Sequence, residues 1–189
     1  MKTFFTSDNH FGHANVIKYA NRPFNNVEEM NEVMIKNLNE KVGADDRLYF
    51  VGDFIFGNSK IANEILNRIN CKNKFFVYGN HDKAMYDNTV AKHFIKMTPY
   101  LEVKVPLPSN PSVEQGIILF HYPILEWNKG HFGAWMLHGH CHGNLEYPDS
   151  LKDKKIADIG VDCWNYYPVS MEELENLFKD RNNITHHKD

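Results

Sequence analysis

The chain has 189 residues, of which 42% are hydrophobic, 13% aromatic and 24% charged. This composition is typical of one globular domain with a sizeable core, and it excludes a disordered, collagenous or coiled-coil chain. The net charge of −3 with neutral histidines disfavours a general duplex-binding protein or a protein of anionic membrane surfaces. No apolar run reaches the roughly 20 residues that span a bilayer.

The first half of the chain predicts strands that alternate with helices. Strands are expected at Lys2–Ser7, Leu48–Val51 and Phe75–Tyr78, because these short runs are apolar and aromatic. Asn26 and Ser59 are expected to cap two helices that carry apolar residues at helical spacing between the strands. A βαβαβ series of this kind indicates a parallel sheet covered by helices.

The second half predicts a β-hairpin, two further strands and a final helix. Ser170 and Glu173 form a capping-box pattern that opens this helix. We expect a single domain over residues 1–180 and a polar, frayed tail over residues 181–189. The strands are expected at Leu101–Val105, Ile117–Phe120, Trp135–Leu137 and Ile156–Val161.

The cysteine and histidine content indicates where the protein is found and where its chemistry lies. Three cysteines without a C-x-x-C pair disfavour a disulfide framework or a cysteine zinc finger, and predict a cytoplasmic location. Five of the eleven histidines fall between His121 and His142. Histidine is the commonest metal ligand and a frequent acid–base group, so this segment is a candidate functional site.

Polar clusters follow the predicted strands, one after another along the chain. In open α/β sheets, ligands bind at the carboxyl ends of the strands, so residues far apart in sequence are expected to converge on one cleft. The clusters are Asp8-Asn9-His10, Gly52-Asp53, Gly79-Asn80-His81-Asp82, His121-Tyr122-Pro123 and His138-Gly139-His140-Cys141-His142.

The spacing within these clusters favours metal binding. Alternation along a strand would place Asp8 and His10 on one side, and likewise His140 and His142. The same alternation would turn Cys141 away, as a buried small side chain. Mixed oxygen and nitrogen donors suit Mn, Fe, Zn or Co better than Ca or Mg. The candidate ligands are too many for one tetrahedral zinc and predict two metals about 3.5–4 Å apart that share a carboxylate.

In this order the clusters resemble the signature of the calcineurin-like metallophosphoesterases. That signature runs D-x-H, G-D, G-N-H-[DE], a lone H and G-H-x-H, each element after a strand. The segments Ser7–His13 and Asn21–Phe24 are similar to a small bacterial and phage branch of the family. The resemblance implies an α/β fold, a four-layer sandwich of two mixed β-sheets flanked by helices.

The resemblance also implies a role for each matched residue. Asp53 would bridge two divalent transition-metal ions, with manganese expected first and iron, zinc, cobalt or nickel as alternatives. His81 would protonate the departing oxygen, and Asp82 would orient its imidazole. One metal would be held by Asp8, His10 and His142, and the other by Asn80, His121 and His140.

The function expected from these residues is hydrolysis of a phosphodiester or a nucleotide-like small substrate by a hydroxide that bridges the metals. A phosphoprotein substrate is disfavoured, because the chain reads Gly52–Gly57 without the G-D-x-x-D-R-G of protein phosphatases, and Lys83 follows the third cluster. One alternative is a nuclease or a dinucleoside polyphosphate hydrolase with the same centre. Another is a non-catalytic binding module, which the intact ligand positions disfavour. Neither membrane association nor strong nucleic-acid binding is expected, and the oligomeric state is left open.

Four further residues are candidates for contact with substrate, each with a plainer alternative. Arg22 would clamp a phosphate or form a surface ion pair. His13 would contact the phosphate or cap the following helix. Trp127 and His131 would stack on an aromatic leaving group or pack in the core. His138 is expected to pack beside the site without binding metal.

Overall fold

Two mixed β-sheets pack face to face in the computed structural model, which describes residues 1–185. The strands are β1 (Thr3–Thr6), β2 (Arg47–Val51), β3 (Asn73–Val77), β4 (Lys96–Thr98), β5 (Tyr100–Pro106), β6 (Glu114–Phe120), β7 (Trp135–His138), β8 (Ile156–Asp158) and β9 (Val169–Ser170). The first sheet has the order β4-β3-β2-β1-β9, and the second has the order β5-β6-β7-β8. All neighbouring strands are parallel except β9 against β1 and β5 against β6. The expected fold of two mixed sheets is confirmed.

Side-chain caps begin the three longer helices. The Asn26 side chain accepts the Glu29 amide, which confirms it as a cap, and Ser170 forms the expected capping box. The prediction of Ser59 as a cap is wrong, because Asn58 caps that helix and Ser59 is its first residue. None of the helices among residues 1–185 is long and apolar enough to cross a bilayer. The helices are α1 (Val16–Tyr19), α2 (Val27–Lys41), α3 (Ser59–Asn67), α4 (Asn88–Ala91) and α5 (Met171–Phe178), with 3₁₀ turns at Lys83–Tyr86, Gly130–Phe132 and Val161–Cys163.

The seven predicted strands are present, with small differences at their ends. The strand predicted at Ile156–Val161 ends at Asp158, and a 3₁₀ turn takes up its last residue. Strands β4 and β9 were not predicted. They have three and two residues, which is too short for a pattern of alternating side chains to be readable.

Apolar residues fill three layers on and between the sheets. Met34 and Leu66 of helices α2 and α3 pack with Phe50 on the outer face of the first sheet. Between the sheets, Phe5 and Leu137 belong to one buried cluster, to which helix α5 also contributes. Residues 47–51 alternate between these two layers, so β2 is buried on both faces. Strands buried on both faces explain the nearly continuous apolar runs in the sequence.

The outer face of the second sheet is covered by loop residues and the turn Gly130–Phe132 rather than by a long helix in the described part of the chain. Trp127 packs there with Leu151 and Ile184, only 5% exposed, and its indole nitrogen donates to the Ala134 carbonyl oxygen at 2.8 Å. The proposed role of Trp127 in stacking on substrate is therefore wrong, because its ring is buried in this outer layer.

The segment 181–185 packs against the second sheet, contrary to the expectation of a frayed tail. Arg181 donates to the carbonyl oxygens of Lys154 and Ile156 at 3.2 and 2.9 Å. The Ile184 side chain is 8% exposed. Residues 186–189, the remainder of the expected tail, lie outside the described residues.

We expect Ile184→Ala to lower the free energy of unfolding by about 2 kcal/mol, the lower end for an isoleucine truncated in a core. Urea denaturation measures the effect. Thr185→Ala is the matched control, because Thr185 is exposed and surface substitutions usually stay within about 0.5 kcal/mol. Equal stability of the two variants would contradict the packed position of this segment.

Candidate metal centre

Most of the candidate ligands stand in left-handed backbone turns directly after the strands. The φ angles are 55° at Asp8, 51° at His10, 52° at Asp53, 70° at His140 and 48° at His142. Such angles are uncommon outside glycine, and side chains held there cluster at functional sites. The ligand pairs do converge, but the expected mechanism of strand alternation is wrong, because left-handed turns aim these side chains.

Two glycines make room for this arrangement. Gly52 has a φ of 89°, a conformation that other residues rarely adopt. At Gly139, a Cβ atom would collide with the Ser7 hydroxyl and the Asp8 carboxylate. The backbone after strand β7 can therefore approach the end of strand β1, and the His140 amide donates to both Asp8 carboxylate oxygens at 3.0 and 2.9 Å.

The structure brings the expected ligand side chains together in two groups. Within each group the candidate ligand atoms lie within 4.8 Å of one another. Asn80 joins the second group, since its Oδ1 lies 3.1 Å from His121 Nε2. The groups are Asp8, His10 and His142, and Asp53, His121 and His140.

The Asp53 carboxylate lies between the two groups. Its Oδ2 is 3.6 Å from His10 Nε2 and 3.4 Å from His121 Nε2, so one oxygen faces a histidine of each group. Its Oδ1 accepts the His81 amide at 2.9 Å. A carboxylate in this position has the geometry that a bridging ligand needs.

Unsatisfied ring nitrogens show that the residues fit metal ions. Both ring nitrogens of His10 are buried without a hydrogen-bond partner among the described residues. His121 Nδ1 lies 2.9 Å from the Val51 carbonyl oxygen, which can only accept, so its Nε2 is left to face Asp53 and Asn80. Buried imidazole nitrogens without partners are costly, and a bound divalent cation would satisfy them.

Burial and mutual attraction shift the pKa values of these groups. Burial raises the pKa of Asp8 to about 7 and lowers the pKa of His10 to about 3. Burial opposes charge on His121 and Asp53 as well. Their hydrogen bond and Coulomb attraction outweigh it, so the pKa of His121 rises to about 9 and that of Asp53 falls to about 2. Such opposed shifts in one cluster are typical of functional sites, and a metal would compete with the His121 proton.

Arg22 supports the centre from behind rather than binding substrate. Its side chain is fully buried and forms a bidentate pair with Asp162, with both N–O distances 2.8 Å. It also donates to the carbonyl oxygens of Asp8 and Asn9 at 2.7 and 3.0 Å. Asp162 Oδ2 in turn lies 2.6 Å from His142 Nδ1. The predicted phosphate clamp is wrong, because the Arg22 guanidinium donates its hydrogen bonds to Asp162 and to the carbonyl oxygens of Asp8 and Asn9. The alternative of a surface ion pair is also wrong, because the pair with Asp162 is buried.

Asp82 ties two ligand loops together instead of orienting His81. Its buried carboxylate accepts the amides of Gly79, Asp53 and Phe54 at 2.6, 2.8 and 2.9 Å. No hydrogen bond joins it to the His81 imidazole in residues 1–185. The expected orienting contact is therefore wrong, because three backbone donors occupy the carboxylate.

His81 and His13 line an open cleft beside the ligand groups. The cleft has a volume of about 190 Å³ and also includes Asp53 and His140 in its lining. The exposed His81 ring lies 5.6 Å from the His10 ring, centroid to centroid. His13 does not cap helix α1 through its side chain, since Asn15 holds the cap position. Both histidines are therefore placed to meet a molecule in the cleft.

The other sequence candidates lie away from this cleft or are structural. His131 is exposed on the turn Gly130–Phe132 and is not among the residues that line the cleft, so it does not pack in the core, and its contact with substrate stays a prediction. His138 is buried, with Nε2 2.6 Å from the Tyr147 hydroxyl, as expected for a packing residue. Cys141 is half-buried rather than buried, and burial raises the pKa of its thiol to about 11, which makes it unreactive.

Three residues near the centre were missed in the sequence. Asp162 follows strand β8 within four residues, so the position of polar residues after strands was a usable signal for it. Tyr19 ends a helix of a single turn, and Phe56 follows a metal-ligand block as one more aromatic residue. Neither gives a sequence signal that separates it from a core residue.

Two packed mixed sheets carry two groups of candidate metal ligands at their strand ends, an arrangement suited to a site for two metal ions. The chain matches the calcineurin-like phosphoesterase family over residues 1–187 and belongs to that family, whose members use dimetal centres. The resemblance expected from the ordered clusters is therefore confirmed.

Similar proteins extend over nearly the whole chain. A protein of Methanocaldococcus jannaschii described as uncharacterised is 37% identical over 182 residues, which cover 94% of this chain and 92% of that protein. The Gene 66 protein of Mycobacterium phage L5 is 26% identical and covers 93% of each chain. A protein of unknown function from Aquifex aeolicus has the same fold, with a TM-score of 0.66 at 24% identity over 93% of this chain and 98% of that one. The phage relative fits the small bacterial and phage branch.

We expect Asp162→Asn to weaken metal binding and to destabilise the fold. An amide cannot balance the buried Arg22 charge, and removal of one partner of a buried pair costs about 3–5 kcal/mol. Partners that orient ligating histidines are typically worth about 10–100-fold in metal affinity. Calorimetric titration with Mn²⁺ and urea unfolding of the metal-free protein measure the two effects separately.

The control for this variant is Asp149→Asn, since Asp149 is exposed and pairs with Lys152 at the surface. That control should change neither quantity. Native Mn²⁺ affinity in a folded Asp162→Asn variant would show that Asp162 does not position His142.

Proposed function

We propose that the protein is a metal-dependent hydrolase of phosphodiesters or other small nucleotide-like phosphoesters. The observation that carries this proposal is the position of Asp53, whose carboxylate faces both ligand groups at the floor of an open cleft. Family membership supports the phosphoester class, and the substrate is inferred from the cleft.

The two ligand groups would hold two divalent transition-metal ions. Carboxylate, amide and imidazole donors together suit manganese, the metal we propose first, as well as iron, zinc, cobalt or nickel. When bound, such a pair neutralises phosphoryl oxygens and lowers the pKa of a water nucleophile.

The chain's own residues would position the ions and transfer the proton. The buried pair of Arg22 and Asp162 holds the Nδ1 side of His142, so its Nε2 points toward Asp8. His81 is fixed through its amide to Asp53, while its imidazole remains exposed in the cleft. We propose that His81 donates a proton to the departing oxygen as general acid.

The lining of the cleft favours a small substrate over a nucleic acid. Its volume of about 190 Å³ lies below the range of about 300–1,000 Å³ usual for drug-sized ligands, and no lysine or arginine of the described chain lines it. A nuclease would need several cations along the path of the strand. The small phosphoester partner, weak nucleic-acid binding and the cytoplasmic location all remain predictions.

A substrate panel with added Mn²⁺ tests the proposal. It should include a nitrophenyl diester, cyclic nucleotides, dinucleoside polyphosphates and single-stranded DNA. We expect metal-dependent hydrolysis of a small diester and no preference for DNA. Asp53→Asn is the control, because it removes the charge shared by the two groups and should abolish turnover. A protein that binds two metals yet hydrolyses nothing in the panel would contradict an enzymatic function.

We expect His81→Asn to slow hydrolysis most where the leaving group is poor. A ribose alkoxide needs a proton as its bond breaks, and positioned proton transfer contributes about 10²–10⁴-fold. A nitrophenolate leaves without that help, so the loss should be much smaller. Rates on both substrate types, together with elemental analysis of metal content, measure this difference.

His93→Asn is the matched control, since His93 bonds to Asn63 away from the cleft. It should lose activity on neither substrate. Equal losses of His81→Asn on both substrates, or loss of metal, would identify His81 as a ligand or phosphate binder.

A further inference from the structure

Aromatic rings stand exposed at the rim of the cleft. Tyr19 is 76% exposed and Phe56 is 52% exposed. The His13 ring stacks on Phe56, with centroids 4.3 Å apart and an interplanar angle of 17°, and lies 6.4 Å from the Tyr19 ring. We call Tyr19, His13 and Phe56 the aromatic wall. The exposed faces of Tyr19 and Phe56 are therefore open to a ligand in the cleft.

The aromatic wall adjoins the proposed general acid. The His81 ring lies 6.3 Å from Phe56 and 6.4 Å from His13, and His13 lies 5.3 Å from the ligand His10. An oxygen that His81 protonates must lie within hydrogen-bond reach of its imidazole. A group attached to that oxygen can therefore reach the wall from His81.

The backbone fixes the wall to the metal ligands. Phe56 donates its amide to the Phe11 carbonyl oxygen at 2.8 Å, and the Phe11 amide donates to Phe54 at 2.9 Å. These bonds form a short parallel bridge directly after His10 and Asp53. Because the ring is held on the same segments as the ligands, it is pre-organised for binding.

We propose that the aromatic wall is a stacking subsite for a planar ring on the leaving group of the substrate, such as the nucleobase of a nucleoside. This inference rests on the proposed function, because it assigns the half of the substrate that departs. The rings of the wall offer that half a face on which to stack. Stacking is tolerant of base identity, since every base has a π-face.

Binding of two sugar phosphates that differ only in the base tests the subsite. Calorimetric titration of the Mn²⁺-loaded full chain with adenosine 5′-monophosphate and with ribose 5-phosphate gives two affinities. We expect the nucleotide to bind more tightly by roughly 5- to 150-fold, the range measured when stacked aromatic residues are truncated. Phosphate release is followed in parallel, so that turnover and binding are recorded separately.

Variants locate the effect. Phe56→Ala and Tyr19→Ala should reduce the nucleotide preference, whereas Phe56→Tyr should keep it because the ring is retained. Phe132→Ala is the matched control, since Phe132 is 78% exposed but lies on the turn Gly130–Phe132, outside the cleft. Thermal melts of each variant establish that it is folded.

The outcomes test the stacking subsite and the proposed function separately. Equal affinities for the two sugar phosphates, with a small diester still hydrolysed, would overturn the stacking subsite and leave the proposed function standing. A nucleotide preference that survives both alanine variants would overturn the assignment to these rings. A preference that depends on Phe56 in a protein without hydrolytic activity would support the subsite and overturn the proposed function.

Discussion

The centre depends on one carboxylate oxygen, Oδ2 of Asp53, which faces a histidine from each ligand group. Buried beside His10 and His121, it helps to hold the pKa of His121 above its usual value. The other Asp53 oxygen is held by the His81 amide, and the Asp53 amide is held by Asp82. The side chain and the backbone of Asp53 are therefore both held by the loop that carries His81 and Asp82, and a small movement of this loop would change both groups together.

Five of the candidate ligands stand in a strained backbone conformation. Asp8, His10, Asp53, His140 and His142 all have positive φ. Each such residue costs on the order of 1–3 kcal/mol and persists only where its surroundings over-determine it. The buried bonds of Arg22 to the Asp8 and Asn9 carbonyl oxygens supply that support. The apolar clusters of the two sheets also offset the free-energy cost of these backbone conformations, because they stabilise the strands that precede the ligand loops.

Local signals in the sequence were sufficient for much of the fold and for the ligand set. The cap at Asn26 and the capping box at Ser170 can each be recognised from about four consecutive residues. The apolar runs of the strands are equally local signals. The ordered clusters such as Asp8-x-His10 identify the centre because each follows a strand. The fold and the family that these signals predicted are confirmed by the structure and by the family match.

Three of the errors have a common physical origin, since each depends on a partner far away in sequence. Arg22 finds Asp162, 140 residues later, and no local pattern distinguishes that pairing from a phosphate contact. Trp127 is buried by Ile184, which lies in a segment expected to fray. Asp82 binds amides on another loop. The rings that do border the cleft, Tyr19 and Phe56, occupy a one-turn helix and a strand-end loop, where periodicity carries no information.

The pairing of Arg22 with Asp162 also has a consequence for the order in which the molecule is completed. Chains emerge from the ribosome from the N-terminus onward, and contacts distant in sequence form only when both partners are available. The first ligand loop, at Asp8 and Asn9, must therefore wait for the turn Val161–Cys163 before its supporting guanidinium is neutralised. A nascent chain that stops short of this turn carries every residue of the two ligand groups but lacks the carboxylate that pairs with Arg22. We therefore expect the ligand loops to reach their final arrangement only after the turn Val161–Cys163 has been made.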